Sequence, residues 1–373
     1  MIGEKSMRLI STKVLQTGMV IGRTIWNEAG RPLLQKGVKV SGHIIQRLQQ
    51  LNIQYVYIDD KISTNIEIEE AIPRAVRQHA VDQITSSFNK LKNLKGKDVT
   101  YCLDQQTKHF SAIIDDLFDN IMNNKEILTV LSDAFLYDNY IYTHSLQVAV
   151  YSIAIAKEMH YNAAEIRQIG IGAILHDVGK IMIPQEILKK PDRFTNEEYE
   201  LMKLHTKYGF DLLRNLHTIS LLSAHCAFQH HERLDGSGYP RGLLDFEIHP
   251  YAKIIAVADV FDAVTSTRVY RKKMLPSRGM DIIKEGSGTL YDEKVVNAFR
   301  RCVAYYPNGT CLLLSDGRRG IVCKQNREYT ERPWVRIFEE NGEMLKATYE
   351  ILLAEQLDIS VEKVEVEYLV QVE

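Results

Sequence analysis

The chain has 373 residues, of which 45% are hydrophobic and 25% charged, a balance typical of a globular protein with a large core. Its formal net charge of −2 argues against a global attraction to nucleic acid polymers or anionic membranes. Five scattered cysteines without a Cys-x-x-Cys pair favour a reducing, cytoplasmic location over a disulfide framework. The sequence has no apolar run of roughly 18 residues, so we expect no membrane span.

Residues 1–65 are predicted to form a small α/β module. Gly22, Gly30 and Gly37 separate short strand-like runs. Ser41 is a candidate N-cap for a short helix, and the segment QYVYI that follows is typical of a strand.

Residues 66–135 are predicted to be a helical connector. Apolar residues recur there at spacings of three and four, which indicates one continuous stripe on a helix. The stripe consists of Phe110, Ile113, Ile114, Leu117, Phe118 and Ile121. We interpret it as core, with the seam of a homodimer as the alternative.

Residues 136–303 are predicted to be a helical domain that holds nearly all of the chemistry. The residue pattern changes over residues 304–373, where the strand-like runs CLLLSD, RGIVCK and WVRIF alternate with turns. That alternation predicts a small antiparallel β module. The expected fold class is therefore mainly α, with small strand-rich modules at both flanks.

Acidic side chains interrupt two apolar helical segments of the central domain. Asp177 follows His176 in the segment IGIGAILHDVGK, and Asp259 stands in AKIIAVADVFDAVTS. Because an isolated buried carboxylate is very costly, we expect both acids to be paired or metal-bound. Lys180 falls three residues after Asp177, so on a helix the two side chains would share one side.

Two further histidines are predicted to point toward the core from separate helices. His205 lies in a helix that a capping box of Thr195 and Glu198 is expected to begin. Each histidine is in register with apolar residues: Val148, Tyr151 and Ile155 for His144, and Leu201, Leu204, Tyr208 and Leu212 for His205.

The stretch HHERLDGSGYP, residues 230–240, adds two adjacent histidines before a glycine-rich turn. Five imidazoles and two carboxylates are too many ligands for one octahedral ion. They suit two divalent ions that share a bridging carboxylate, for which Asp177 is the candidate. Imidazole and carboxylate without thiolate favour iron or manganese, with zinc or nickel as alternatives, over calcium or magnesium. No organic cofactor is expected.

Three motifs, HDVGK (176–180), HHERLDGSGYP (230–240) and ADVFDAVTSTRVYR (258–271), resemble the HD-GYP domains of the HD phosphohydrolase superfamily. The resemblance covers about residues 136–303 and implies an all-α bundle. It also implies hydrolysis of the bacterial second messenger cyclic di-GMP to linear pGpG or onward to GMP. One variant of the family has a glutamate and a third metal where this chain has Tyr140, so the resemblance implies a two-metal site here. The nearby acids Asp133 and Asp138 do not fall at that offset.

The resemblance also assigns roles to individual residues. The metal ligands it implies are His144, His176, Asp177, His205, His230, His231 and Asp259. Asp177 and Lys180 would be catalytic. Contacts to the substrate would come from Lys180, Asp235, Gly236, Gly238, Tyr239, Pro240, Arg268 and Arg271.

Within the glycine-rich loop, several readings stay open. Asp235 either caps the turn or contacts the substrate, and Tyr239 either binds a guanine or phosphate or packs within the loop. Glu232 is expected to orient His205 or His230. Gly236 and Gly238 would permit positive φ and close backbone approach.

Three alternatives to cyclic di-GMP hydrolysis remain at this stage. The first is hydrolysis of another cyclic dinucleotide, such as cyclic GMP-AMP. The second is a non-catalytic module that senses the dinucleotide or docks a protein partner such as a diguanylate cyclase. The third is a purely structural helical bundle, which would leave the buried acids and paired histidines unexplained.

Overall fold

The computed structural model describes residues 6–26, 31–68, 72–91, 94, 97–123, 140–190, 192–266 and 274–369. These residues form two compact units where the sequence suggested four segments. The first unit combines the described parts of Met1–Glu70 and Val303–Glu373, and the second those of Ala71–Lys125 and Asn139–Cys302. The expected mainly α class is confirmed.

The first unit, which we call the strand-rich unit, contains two principal sheets. Its elements are β1 (Arg8–Ser11), β2 (Val20–Ile21), β3 (Ile25–Trp26), β4 (Pro32–Leu34), α1 (Gly42–Gln50), β5 (Tyr55–Asp59), β6 (Cys311–Leu314), β7 (Arg319–Lys324), β8 (Trp334–Glu340), β9 (Glu343–Leu352) and β10 (Val361–Val364). The strand orders are β1-β5-β2 and β10-β6-β7-β8-β9, and β3 pairs with β4. All of these pairings are antiparallel. Ser41 accepts a hydrogen bond from the Ile44 amide, which confirms it as the N-cap of α1.

The amino-terminal and carboxyl-terminal parts of the strand-rich unit share a core. Ile62 and Ile66 pack with Cys311, Ile321 and Phe338. Backbone hydrogen bonds join the same two parts, from the Leu9 amide to Gly309 and from the Ser11 amide to Val366. Common apolar burial explains why these distant segments form one unit.

The second unit, the helical unit, contains the residues of the predicted site. Its helices are α2 (Arg74–Leu91), α3 (Lys97–Asn123), α4 (Tyr140–Glu158), α5 (Ala163–Leu175), α6 (Gln185–Leu188), α7 (Asn196–Leu213), α8 (Leu221–Gln229), α9 (Pro250–Thr265), α10 (Pro276–Glu285) and α11 (Glu293–Cys302). Helix α4 packs against α5, α9 and α11, while α7 packs against α8 and the 3₁₀ turn Val178–Met182. None of the helices in the described ranges is both long and apolar enough to cross a bilayer.

The apolar stripe of α3 is core. All six of its residues, from Phe110 to Ile121, are buried within the chain itself. Helix α3 packs against α2, α4 and α5, so it belongs to the helical unit. The stripe therefore gives no support to a dimer seam, and the homodimer stays a prediction.

Helix α7 begins as expected but turns a different face inward. Thr195 and Glu198 form the predicted capping box. The predicted stripe is wrong at Leu201, which is 43% exposed, whereas the buried residues of α7 are His205, Thr206, Gly209 and Leu213. The buried face includes Gly209 because the turn at Gly179 approaches it closely, a tertiary contact that apolar periodicity does not register.

Candidate metal centre

Seven buried or half-buried side chains converge in the helical unit. They form two groups in which the potential ligand atoms lie within 4.8 Å of one another. We call these groups the upper group and the lower group. The upper group is Asp177, His205, His230 and His231, and the lower group is His144, His176 and Asp259. All seven residues that the sequence singled out as ligands are therefore brought together.

Asp177 lies between the two groups and directs one oxygen toward each. Its Oδ2 is 3.2 Å from Nε2 of His176 and 3.7 Å from Nε2 of His144. Its Oδ1 is 3.4 Å from Nε2 of His205 and 3.8 Å from Nε2 of His230. One carboxylate thus faces the nitrogens of both groups.

A turn, and not the interior of a helix, presents the His176–Asp177 pair. Helix α5 ends at Leu175, and Asp177 directly precedes the 3₁₀ turn Val178–Met182. A Cβ atom at Gly179 would stand 1.9 Å from the carbonyl oxygen of His205. The glycine of the HDVGK motif therefore allows α7 to lie against this turn, which brings His205 to Asp177.

Backbone carbonyls orient three of the imidazoles. Nδ1 of His176 lies 2.7 Å from the Ala173 oxygen, and Nδ1 of His205 lies 2.6 Å from the Met202 oxygen. Nδ1 of His230 is 3.1 Å from the carbonyl oxygen of Ala227. A carbonyl only accepts hydrogen bonds, so Nδ1 carries the proton in each ring. Nε2 is left with a lone pair directed into the site.

Asp262 orients the fourth imidazole, a role that the sequence analysis did not assign. Its buried Oδ2 is 2.7 Å from Nδ1 of His144, and its Oδ1 accepts from Ser266 Oγ. On the opposite side of the ring, Nε2 of His144 lies 3.1 Å from Oδ1 of Asp259. The available signal was a second acid one turn after Asp259 in an almost wholly apolar helix.

The electrostatics of the two groups differ. Burial lowers the pKa of His205 to about 4, and it also holds the pKa values of His230 and His231 well below their usual range. For His144, burial alone would lower the pKa, but hydrogen bonds with Asp259 and Asp262 raise it to about 9. At neutral pH the upper histidines are therefore neutral, whereas His144 is protonated in the metal-free protein.

Both carboxylates stay ionised. Burial would raise the pKa of Asp177, but the imidazole of His176 and the ammonium of Lys180 beside it hold that pKa well below its usual range. The pKa of Asp259 is likewise lowered, against the effect of burial, by its hydrogen bond with His144 and by the nearby imidazoles. The site therefore keeps two negative charges among its histidines.

The donor set fits a divalent cation. Oδ1 of Asp177 is buried and has no hydrogen-bond partner within the described residues. It faces the lone pairs of His205 and His230, whose Nε2 atoms are themselves only 3.4 Å apart. Acceptors crowded together without a proton between them are unfavourable, and a bound cation would satisfy all of them.

Lys180 lies beside the shared carboxylate, as its spacing predicted. Its Nζ is 2.5 Å from Oδ2 of Asp177, and its side chain is partly exposed. The ammonium therefore lies next to Asp177 on a side chain that solvent can reach.

The glycine-rich loop is held by its own acidic residues. Asp235 accepts hydrogen bonds from the amide and hydroxyl of Ser237, so it caps the turn. Gly236 has φ +79°, and a Cβ atom at Gly238 would lie 2.4 Å from Cα of Glu232. Both glycines are thus needed for backbone geometry. Pro240 follows in an exposed position.

Glu232 anchors the far side of this loop. Its carboxylate accepts from the amides of Arg241 at 2.8 Å and Leu243 at 2.9 Å. The expectation that Glu232 orients His205 or His230 is therefore wrong. Carbonyl oxygens already occupy Nδ1 of both rings, which leaves the carboxylate free for the loop amides.

Tyr239 joins the loop to the upper group. Its ring stacks on the imidazole of His231, with centroids 4.6 Å apart and planes inclined by 28°. The ring is therefore packed and borders the upper group, and its contact with a guanine or a phosphate stays a prediction. Arg268, Arg271, Asp133 and Asp138 lie outside the described residues.

The HD domain family model matches residues 125–295, the segment that contains the HDVGK turn and the glycine-rich loop. This segment of the chain is therefore similar to HD domains. The chain is 28% identical to the cyclic di-GMP phosphodiesterase PA4108 of Pseudomonas aeruginosa, over 89% of this chain and 85% of that protein. The expected resemblance to HD-GYP proteins is confirmed.

The chain matches two further relatives over a smaller share of their length. A cyclic di-GMP phosphodiesterase of Thermotoga maritima is 38% identical, over 65% of this chain and 64% of the relative. The 3'3'-cGAMP-specific phosphodiesterase 3 of Vibrio cholerae is 28% identical, over 76% of this chain and 62% of the relative. The chain therefore spans less than two thirds of these two relatives.

Proposed function

We propose that this protein is a metal-dependent phosphodiesterase that hydrolyses cyclic di-GMP to linear pGpG. The position of Asp177 carries the proposal, since one carboxylate faces the imidazole nitrogens of two donor groups. The names of the relatives from Pseudomonas and Thermotoga support the choice of substrate.

Two divalent ions would be held by the seven donors, with Asp177 shared between them. Imidazole and carboxylate ligands favour iron or manganese for both positions. When bound, such ions would supply an activated water and stabilise the charge that develops on the phosphate. Further hydrolysis of pGpG to GMP is the alternative to pGpG as the end product.

The chain's own residues would bind and orient the phosphodiester. Lys180 offers a positive charge next to Asp177, where it can attract a nonbridging phosphate oxygen. The loop anchored by Glu232 keeps Tyr239 against His231, so the ring forms one wall of the site. We assign Asp177 and Lys180 to the catalytic machinery, and the loop to substrate binding together with Arg268 and Arg271.

Metal analysis combined with product chromatography tests the proposal. Protein purified without oxygen should contain about two equivalents of iron or manganese and convert cyclic di-GMP to pGpG. Asp177→Ala should lose both the metal and the turnover while the far-ultraviolet circular dichroism stays unchanged. His217→Ala removes an exposed histidine outside both donor groups and is the matched control. Full activity in Asp177→Ala would rule out the shared-carboxylate site.

Cyclic GMP-AMP is the second candidate substrate, because one relative is named as specific for 3'3'-cGAMP. Parallel hydrolysis of cyclic di-GMP and 3'3'-cGAMP decides between them by the ratio of kcat/KM. A metal-replete preparation that binds either nucleotide without cleaving it would favour a sensor. The homodimer, a diguanylate cyclase partner and the cytoplasmic location stay predictions.

A further inference from the structure

Aromatic side chains extend from the upper group toward the surface of the helical unit. His231 stacks on Tyr239, and the ring of Tyr239 meets that of Tyr199 edge to face, with centroids 6.3 Å apart. Tyr199 precedes His205 by six residues on α7, so the two lie about 9 Å apart along the helix axis. That separation is similar to the length of the sugar and base of one nucleotide.

An open cavity of about 400 Å³ adjoins Tyr199. Its volume falls within the range of about 300–1,000 Å³ that is typical of small-molecule sites. Two large aromatic side chains border it in exposed positions, Phe194 at 37% and Tyr199 at 45%. The cavity is lined by Asp192, Arg193, Phe194, Thr195, Asn196 and Tyr199.

Lys203 holds the two tyrosine rings together. Its Nζ is 4.8 Å from the ring centroid of Tyr199 and 5.6 Å from that of Tyr239. An ion pair of 2.6 Å with Glu200 fixes the ammonium. A cation near two aromatic faces attracts both, so Lys203 favours this arrangement of the two rings.

We propose that Tyr199 and Phe194 form a subsite for one purine base of the cyclic dinucleotide, an inference that rests on the proposed function. Bases stack on exposed aromatic rings. The ring of Tyr239 lies 6.5 Å from that of His205 and 6.3 Å from that of Tyr199, so a phosphate at the donor groups and a base at the cavity would lie on either side of Tyr239. Arg193 lines the cavity and carries the paired donors that suit the O6 and N7 acceptors of guanine. The subsite therefore selects for guanine over adenine.

Equilibrium binding of cyclic di-GMP to Asp177→Asn protein tests the subsite, because the proposed function predicts no turnover in that background. Adding Tyr199→Ala should raise Kd about tenfold, while Tyr199→Phe, which keeps the ring, should leave it nearly unchanged. Tyr101→Ala is the matched control, since Tyr101 is an exposed tyrosine on α3 of the same unit. Arg193→Ala should reduce the preference for cyclic di-GMP over cyclic di-AMP.

Kinetics on the otherwise wild-type chain supply the second measurement. Tyr199→Ala should lower kcat/KM for cyclic di-GMP about tenfold and leave methyl p-nitrophenyl phosphate, a phosphodiester without a base, unaffected. An unchanged Kd in Tyr199→Ala, an equal loss in Tyr199→Phe, or a loss of metal in Tyr199→Ala would each overturn the subsite. If the wild-type chain cleaves neither substrate, the proposed function fails, and the binding measurement still decides the subsite. If neither the Asp177→Asn protein nor the metal-replete wild-type chain binds cyclic di-GMP, both proposals are overturned.

Discussion

Nδ1 of His144 and Oδ2 of Asp262 lie 2.7 Å apart inside the helical unit. Nε2 of the same ring faces Asp259. The carboxylate of Asp262 therefore orients the imidazole, and the carboxylate of Asp259 lies with Nε2 in the lower group. A carboxylate on the far nitrogen of a histidine ligand fixes the ring and makes the near nitrogen more basic. Asp262 is therefore a positioning residue.

Asp262→Asn is expected to weaken metal binding about 10- to 100-fold, because the negative charge behind His144 is lost. Titration against a competing chelator measures the affinity directly and does not depend on turnover. Asp116→Asn, an exposed change on α3, is the control. Equal affinities in the two variants would show that Asp262 does not act through His144.

The metal-free protein should lose stability as the pH rises above neutral. Against the effect of burial, hydrogen bonds with Asp259 and Asp262 raise the pKa of His144 from its ordinary value of 6.5 to about 9, so its protonated form stabilises the fold. This contribution is fully present below pH 6.5 and is lost as the pH rises through 9. At about 1.4 kcal/mol per pKa unit, it amounts to ~3 kcal/mol.

Thermal unfolding of chelator-treated protein between pH 6 and pH 9.5 checks this dependence. The glutamine of His144→Gln does not titrate, so this variant should lose less thermal stability at alkaline pH than the wild type. The histidines of the upper group act with the opposite sign and on the acid side, because burial lowers the pKa of His205 to about 4. If the wild type and the variant lose the same stability between pH 6 and pH 9.5, His144 is not the group responsible.

Lys180→Ala should keep the metals but lower kcat at least about tenfold, because a charge that stabilises the developing phosphate anion is removed. Its Nζ lies 2.5 Å from Asp177, so metal content must be measured alongside the rate. Lys207→Ala alters an exposed lysine of α7 and serves as the control. Unchanged kinetics would exclude the role assigned to Lys180.

Gly179→Ala should destabilise the helical unit by about 3 kcal/mol, because the new Cβ would overlap the backbone of His205. Urea unfolding followed by circular dichroism measures the change. Gly42→Ala is the comparison, since no atom lies within 4 Å of the added Cβ there. If the two variants are equally stable, the turn and α7 do not pack as described.

The burial of the two acids of the donor groups beside polar partners was predictable because their chemistry conflicts with their surroundings. An acid such as Asp177 or Asp259 in an apolar segment requires a partner, and local sequence is enough to show the conflict. The capping box of α7 was predictable for a similar reason, since Thr195 and Glu198 are only three residues apart.

Other features depended on contacts between distant segments. The predicted inward face of α7 differs from the observed one because Gly179 packs near Gly209. Neither glycine contributes to an apolar pattern in the sequence. The role of Glu232 was wrong because its partners, the amides of Arg241 and Leu243, are backbone groups with no side-chain signature. The common core of Ile62 and Phe338 joins segments that periodicity cannot relate.

That common core has a consequence for synthesis on the ribosome. Ile62 and Ile66 emerge roughly 250 residues before Cys311, Ile321 and Phe338, and the entire helical unit is made in between. During synthesis, the apolar surface of Ile62 and Ile66 therefore stays uncovered until the carboxyl-terminal strands have been made. A translation product that stops after α11 would contain the complete helical unit and an incomplete strand-rich unit. The exposed apolar surface of the incomplete unit would favour aggregation or binding by chaperones.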